Sequence, residues 1–168
     1  LNCVLDDGDK IIIPEPFYPN YTTFIYTAGG VIRPLTTTPH EGYRYAQRER
    51  FEALINERTR AILITNPGNP TGVVLTPEEM RMIADVAKDH GLFLISDEVY
   101  REFVYGGEDL ASMASFADAA ENVVLIDSVS KRFSACGARV GVIISRNREL
   151  MAHALKYCQA RLSVATLD

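Results

Sequence analysis

Three segments of this chain end an apolar run and then turn at once to polar or reactive residues. Ala61-Ile62-Leu63-Ile64 leads into Thr65-Asn66-Pro67-Gly68-Asn69-Pro70-Thr71-Gly72, Leu92-Phe93-Leu94-Ile95 into Ser96-Asp97-Glu98-Val99-Tyr100, and Val123-Val124-Leu125-Ile126 into Asp127-Ser128-Val129-Ser130-Lys131. In an open α/β sheet, ligands bind beyond the carboxyl ends of the strands, so chemistry is expected at these three places. Lys131 stands apart from Lys10, which sits beside a turn, and from Lys88 and Lys156, which lie on helical patterns as solvated charges. A strand-end lysine whose surroundings favour the neutral amine is a nucleophile toward an aldehyde, and the product is a Schiff base. Taken alone, such a lysine is more often a surface charge; its neighbours reverse that balance.

Ser128, Ser130 and Arg139 have the chemistry of a phosphate cradle, because hydroxyls donate short hydrogen bonds and a guanidinium fork matches a phosphate bidentately. The competing readings are turn chemistry for the serines and a surface ion pair for the arginine. Arg139 lies between Gly137 and Gly141, just before an apolar strand, where glycines let backbone approach a ligand. Asp97, at the end of a buried run, needs a cationic partner if it is itself buried, and a protonated ring nitrogen is one candidate. A metal ligand, a helix cap or a loop acid are equally open to it. Asn69 and Tyr100 can each reach a phenolic oxygen, but also read as a turn asparagine and a packed aromatic. Tyr18, among prolines, can stack on a ring face or simply join the core.

The elements that must position these residues alternate between apolar runs and helical periodicity, the pattern of βα units around a mostly parallel sheet flanked by helices. Strands are expected at residues 10–13, ending at Pro14, and at 31–35, 61–64, 92–95, 123–126 and 140–144. Helices are expected at 18–28, 47–55 and 149–161. The clearest helix follows Thr76-Pro77-Glu78-Glu79, which supplies an N-cap, a first-turn proline and acidic residues; Met80, Ile83, Ala84 and Ala87 then recur at helical spacing until Gly91. The first residues read as the tail of a helix.

A chain of 168 residues, 47% of them hydrophobic, suits one domain with a substantial core. The formal charge of −5 and the pI near 5.2 provide no basic field for nucleic acid or an anionic membrane, and no apolar run approaches the ~20 residues of a membrane span. A soluble, cytoplasmic protein is the expectation. Cys3, Cys136 and Cys158 are too scattered for a disulfide framework or zinc site, and His40, His90 and His153 form no ligand cluster, so no metal is expected. No G-x-G-x-x-G joins a strand to a helix, which argues against a dinucleotide fold.

Taken in order, Asn-Pro-x-Asn-Pro-Thr-Gly at 66–72, Ser-Asp-Glu-x-Tyr at 96–100 and Ser-x-Ser-Lys-x5-Gly-x-Arg-x-Gly at 128–141 resemble the class I/II aminotransferases of pyridoxal-phosphate fold type I. The resemblance covers essentially the whole chain and implies a three-layer α/β/α cofactor domain binding pyridoxal 5'-phosphate. It implies Lys131 as the Schiff-base and proton-transfer lysine and Asp97 as the partner of the ring nitrogen. Asn69 and Tyr100 become ligands of the phenolic oxygen, with Asn69 also near the substrate carboxylate. Ser128, Ser130 and Arg139 become phosphate ligands, and Tyr18 the stacking aromatic. The same resemblance implies amino-group transfer between an L-amino acid, aspartate above all, and a 2-oxo acid such as 2-oxoglutarate. C–S lyases share the fold type, and a truncated, non-catalytic piece is the other alternative. By the same token, residues 1–168 match the central part of the cofactor domain, with an N-terminal segment and a small domain expected outside it, in a parent that is a homodimer. The isolated piece is then expected to bind the cofactor weakly and to lack useful turnover.

Overall fold

The computed structural model describes residues 1–107 and 110–161. Its centre is a six-stranded sheet in the order β2-β1-β3-β4-β5-β6. Strands β1 (Lys10–Glu15), β2 (Val31–Thr36), β3 (Thr59–Thr65), β4 (Phe93–Asp97) and β5 (Val123–Ser128) run parallel, and β6 (Gly141–Ile144) is antiparallel to β5. Because helices cover both faces, the inner strands are near-continuous apolar runs without polar alternation.

Alternate side chains of the inner strands feed two separate cores. Ile12, Ile62, Ile64 and Leu94 pack with α2 (Arg48–Glu52) and α3 (Pro77–Asp89), through Phe51, Met80, Ile83 and Ala87. Ile11, Ile13, Leu63, Ile95 and Val124 pack on the other face with α1 (Asn20–Thr27) and α5 (Arg148–Arg161), through Tyr21, Ile25 and Leu150. This is the expected three-layer arrangement. Helix α3 begins as its sequence dictates: Thr76 Oγ1 accepts from the Glu79 amide at 3.2 Å while Glu79 Oε2 accepts from the Thr76 amide at 2.8 Å.

Three expectations are corrected in detail. Strand β1 continues through Pro14 to Glu15; its pairing with β3 stops at Ile12, so the missing Pro14 N–H interrupts no bond on that side. The helix expected at 47–55 shrinks to the five residues of α2, after which Leu54 and Ile55 turn inward against the core. Residues 1–5 form a single turn closed by Leu5 N on Leu1 O at 3.0 Å. The strand expected at 140–144 forms as β6, an exposed edge where the short 129–140 connection returns the chain antiparallel to β5.

From β1 the chain moves to β2 on one side, and β3 then crosses to the other. Such a reversal opens a crevice beyond the carboxyl ends of the strands, and the motif residues lie there.

Candidate active site

A cavity of about 760 Å³ opens at the carboxyl ends of β3, β4 and β5 and extends between β6 and α5. All of the residues singled out from the sequence line it: Tyr18, Asn69, Asp97, Tyr100, Ser128, Ser130, Lys131 and Arg139. They come from different elements, so their convergence is a property of the fold.

Asp97 is the last residue of β4. Its Oδ2 accepts from the Tyr21 hydroxyl at 2.6 Å and its Oδ1 from the Val99 amide at 3.1 Å, and neither donor is a cation. Burial pushes its carboxyl above the usual value, Asp127 nearby adds to the push, and the two hydrogen bonds oppose it. A carboxylate so placed is suited to a cationic group entering the cavity. Tyr21 is only 8% exposed, and its hydroxyl also lies 3.1 Å from Thr65 Oγ1. Burial and then the Asp97 charge hold that phenol far above its ordinary value, so it remains a proton donor to Asp97.

Lys131 sits on the single turn of α4 (Val129–Arg132), exposed to the cavity, with Nζ 5.6 Å from the centre of the Tyr100 ring. The Tyr100 hydroxyl accepts from Asn69 Nδ2 at 3.4 Å, joining the β3 and β4 motifs beside the lysine. Asn66, the first asparagine of its motif, is fully buried and plays a different part, since its Oδ1 accepts from the Leu75 amide at 2.9 Å and shapes the 66–75 loop.

Ser128 caps α4, its Oγ accepting from the Ser130 amide at 3.3 Å. The turn-chemistry reading therefore holds for Ser128, and its hydroxyl proton is left to donate. Arg139 adopts a left-handed backbone (φ 55°), its Nη1 donates to the Cys136 carbonyl at 2.9 Å, and the exposed residue lines the cavity. Gly141 lines the cavity and also lets β6 pair with β5, since a Cβ there would stand 3.1 Å from the Asp127 carbonyl. Tyr18 is 39% exposed, with its ring edge-on to Tyr21 at 5.6 Å and its hydroxyl accepting from Asn20 Nδ2.

Sequence reasoning missed Tyr21, Thr65, Asp127, Arg132 and Glu98. Tyr21 follows Tyr18 by three residues, one helical turn, and that spacing was the available signal. Glu98 is 1% exposed; its Oε1 accepts from Ser96 Oγ and from the Met113 amide at 2.8 Å, tying down the loop that carries Tyr100. Among the described residues no group of His, Cys, Asp and Glu is arranged to hold a metal ion, and no helix is long and apolar enough to cross a membrane.

A mostly parallel sheet covered by helices, with a lysine, a partly buried carboxylate and an arginine gathered around a cavity at its strand ends, defines an α/β protein with a polar pocket of small-molecule size. The chain belongs to the aminotransferase class I and II family, which it matches over residues 1–166. It is 37% identical over 141 residues to a protein of Aquifex aeolicus (strain VF5) described as a probable aspartate/prephenate aminotransferase, covering 83% of this chain and 36% of that one. It is 36% identical over 140 residues to the aspartate aminotransferase of Bacillus subtilis (strain 168), covering 82% of this chain and 35% of that one. The solved aromatic aminotransferase of Pyrococcus horikoshii OT3 superposes with a TM-score of 0.90 at 29% identity, over 98% of this chain and 43% of that one. The chain thus spans little more than a third of the curated relatives' length.

Proposed function

We propose that this chain is the central part of the cofactor domain of a pyridoxal-phosphate-dependent aminotransferase. The observation that carries the proposal is the convergence of Lys131, Asp97, Asn69, Tyr100, Ser128, Ser130 and Arg139 on one cavity. The donor set fits the cofactor: a carboxylate whose present partners are all neutral for a ring nitrogen, an amine for an aldehyde carbon, and hydroxyl and guanidinium donors for a phosphate. When bound, pyridoxal phosphate supplies an electrophilic aldehyde carbon and a ring that withdraws electron density from the substrate Cα.

In this reading, Lys131 Nζ would hold the cofactor through its aldehyde carbon and, as a free amine, would take the proton from the substrate Cα as a general base. Asp97 keeps the ring nitrogen protonated, and Tyr21 orients that carboxylate. Asn69 and Tyr100 donate to the ring oxygen, with Asn69 also beside the substrate carboxylate. Ser128, Ser130 and Arg139 bind the phosphate, and Tyr18 stacks on the ring. The substrate we propose is an L-amino acid, aspartate first, with 2-oxoglutarate as the acceptor. The aspartate aminotransferase of Bacillus subtilis supports the donor. We propose a homodimer as the working assembly.

Borohydride reduction of the yellow, cofactor-loaded full-length parent, the protein in which every kinetic and cofactor measurement below is made, followed by peptide mass spectrometry, tests the assignment. The label is expected on Lys131; recovery on Lys10, Lys88 or Lys156 overturns it.

A further inference from the structure

Lys131 is carried by a four-residue helix, too short to hold its geometry unaided. Inside that turn, Phe133 N donates to Val129 O and Ser134 N to Lys131 O, both at 3.2 Å. The stronger ties come from Asp127, the strand-end carboxylate that precedes the turn. Its Oδ1 accepts from the Ser128 amide at 2.7 Å, and its Oδ2 accepts from Arg132 Nη2 at 2.6 Å. One carboxylate therefore grips both ends of the segment that presents Lys131. The pair is largely shielded, with side chains 14% and 28% exposed for Asp127 and Arg132, and Arg132 Nε lies a further 3.6 Å from Glu102 Oε1.

Arg132 is thereby engaged by Asp127 and does not line the cavity, and Asp127, although it lines the same cavity as Asp97, has both carboxylate oxygens taken by Ser128 and Arg132. We propose that Asp127 and Arg132 form a clamp that positions Lys131, with Arg132 acting as a positioning residue and Asp127 engaged by it so that Asp97 is left as the carboxylate that faces the cofactor. The inference rests on the aminotransferase reading of the same site. A charge-assisted hydrogen bond in a shielded pair restrains far more than an exposed ion pair, so the clamp has a measurable effect on the turn.

The test uses Arg132→Ala, Arg132→Lys, Asp127→Asn and the double variant Asp127→Asn with Arg132→Ala. Amide hydrogen exchange across residues 129–134, measured without cofactor, is expected to accelerate about tenfold in each single substitution to Ala or Asn, which is ~1.4 kcal/mol of local opening. The double variant is expected to go no further than either single one, because both remove the same contact. Arg132→Lys restores part of the protection. In the loaded protein, Arg132→Ala is expected to slow attachment of pyridoxal phosphate to Lys131, read from its visible absorbance, by about tenfold and to lower kcat with KM for the amino acid little changed.

Wild-type exchange in both single variants, or additive effects in the double variant, overturns the clamp. So does wild-type attachment rate and kcat in Arg132→Ala alongside accelerated exchange, since that result makes the pair merely structural. Where Arg132→Ala does not fold, the isosteric Asp127→Asn decides the same questions. A borohydride label on another lysine in the wild type instead refutes the proposed function, and exchange still reports separately on whether the pair holds the turn.

Discussion

Asp97→Asn is expected to change stability and catalysis in opposite directions. Without cofactor, the Asp97 carboxyl is pushed above its usual value near 3.8, chiefly by burial, despite the Tyr21 and Val99 donors. The folded protein therefore binds the Asp97 proton more tightly than the unfolded chain does. The native state holds the extra proton, so this residue's contribution to stability is full below the ordinary value and is lost as pH rises through the raised one. Asparagine has no such dependence. It gives up the charge assistance of two hydrogen bonds, roughly 1 kcal/mol each, and escapes the desolvation of a buried charge, which costs several kcal/mol before compensation. The cofactor-free variant should thus equal the wild type at pH 7 or exceed it by up to about 2 kcal/mol, with the gap narrowing toward pH 4. In the loaded protein the same change removes the charge opposite the ring nitrogen. Two unit charges ~4 Å apart interact by about 4 kcal/mol at an effective dielectric near 20. If half to all of that is expressed in the transition state, proton abstraction slows by roughly 30-fold to 1,000-fold. Urea unfolding at pH 4 and 7, beside single-turnover kinetics with aspartate, measures both. A variant less stable at pH 7 by more than ~1 kcal/mol with no pH-dependent gap, or a rate loss under tenfold, refutes the reasoning.

Lys131→Ala should leave the fold intact and abolish both borohydride-fixed cofactor and turnover, read by absorbance and peptide mass; retention of either removes the lysine from its role. Arg139→Ala should weaken pyridoxal-phosphate binding by about 10-fold to 100-fold, the loss of charged hydrogen bonds, while the rate at saturating cofactor stays within about tenfold. An equal ratio of affinity loss to rate loss in this variant and in Asp97→Asn would contradict separate roles. Tyr21→Phe should destabilise the cofactor-free protein by ~1–3 kcal/mol and push the Asp97 carboxyl further up, moving the acid limb of the rate profile to higher pH. Thr76→Ala breaks the α3 capping box and should cost about 1 kcal/mol in urea unfolding without changing kcat.

What the sequence determined by itself is local. Apolar runs between turn signals mark β1, β3, β4 and β5, because strands buried on both faces admit little else. Thr76 and Glu79 mark the start of α3, because a helix end must satisfy its own amides. The strand-end positions of Asn69, Asp97, Ser128 and Lys131 are legible for the same reason. Tertiary structure alone decided which of these residues meet. That Tyr21 supplies the donor to Asp97 and that Asn69 reaches Tyr100 are outcomes of parallel strand order and register. Periodicity also could not reveal that β6 runs antiparallel at an exposed edge, since an apolar run reads alike in either direction and on either side of a sheet. Spacing along a chain specifies elements; distance across it depends on how the sheet assembles, which no single segment encodes.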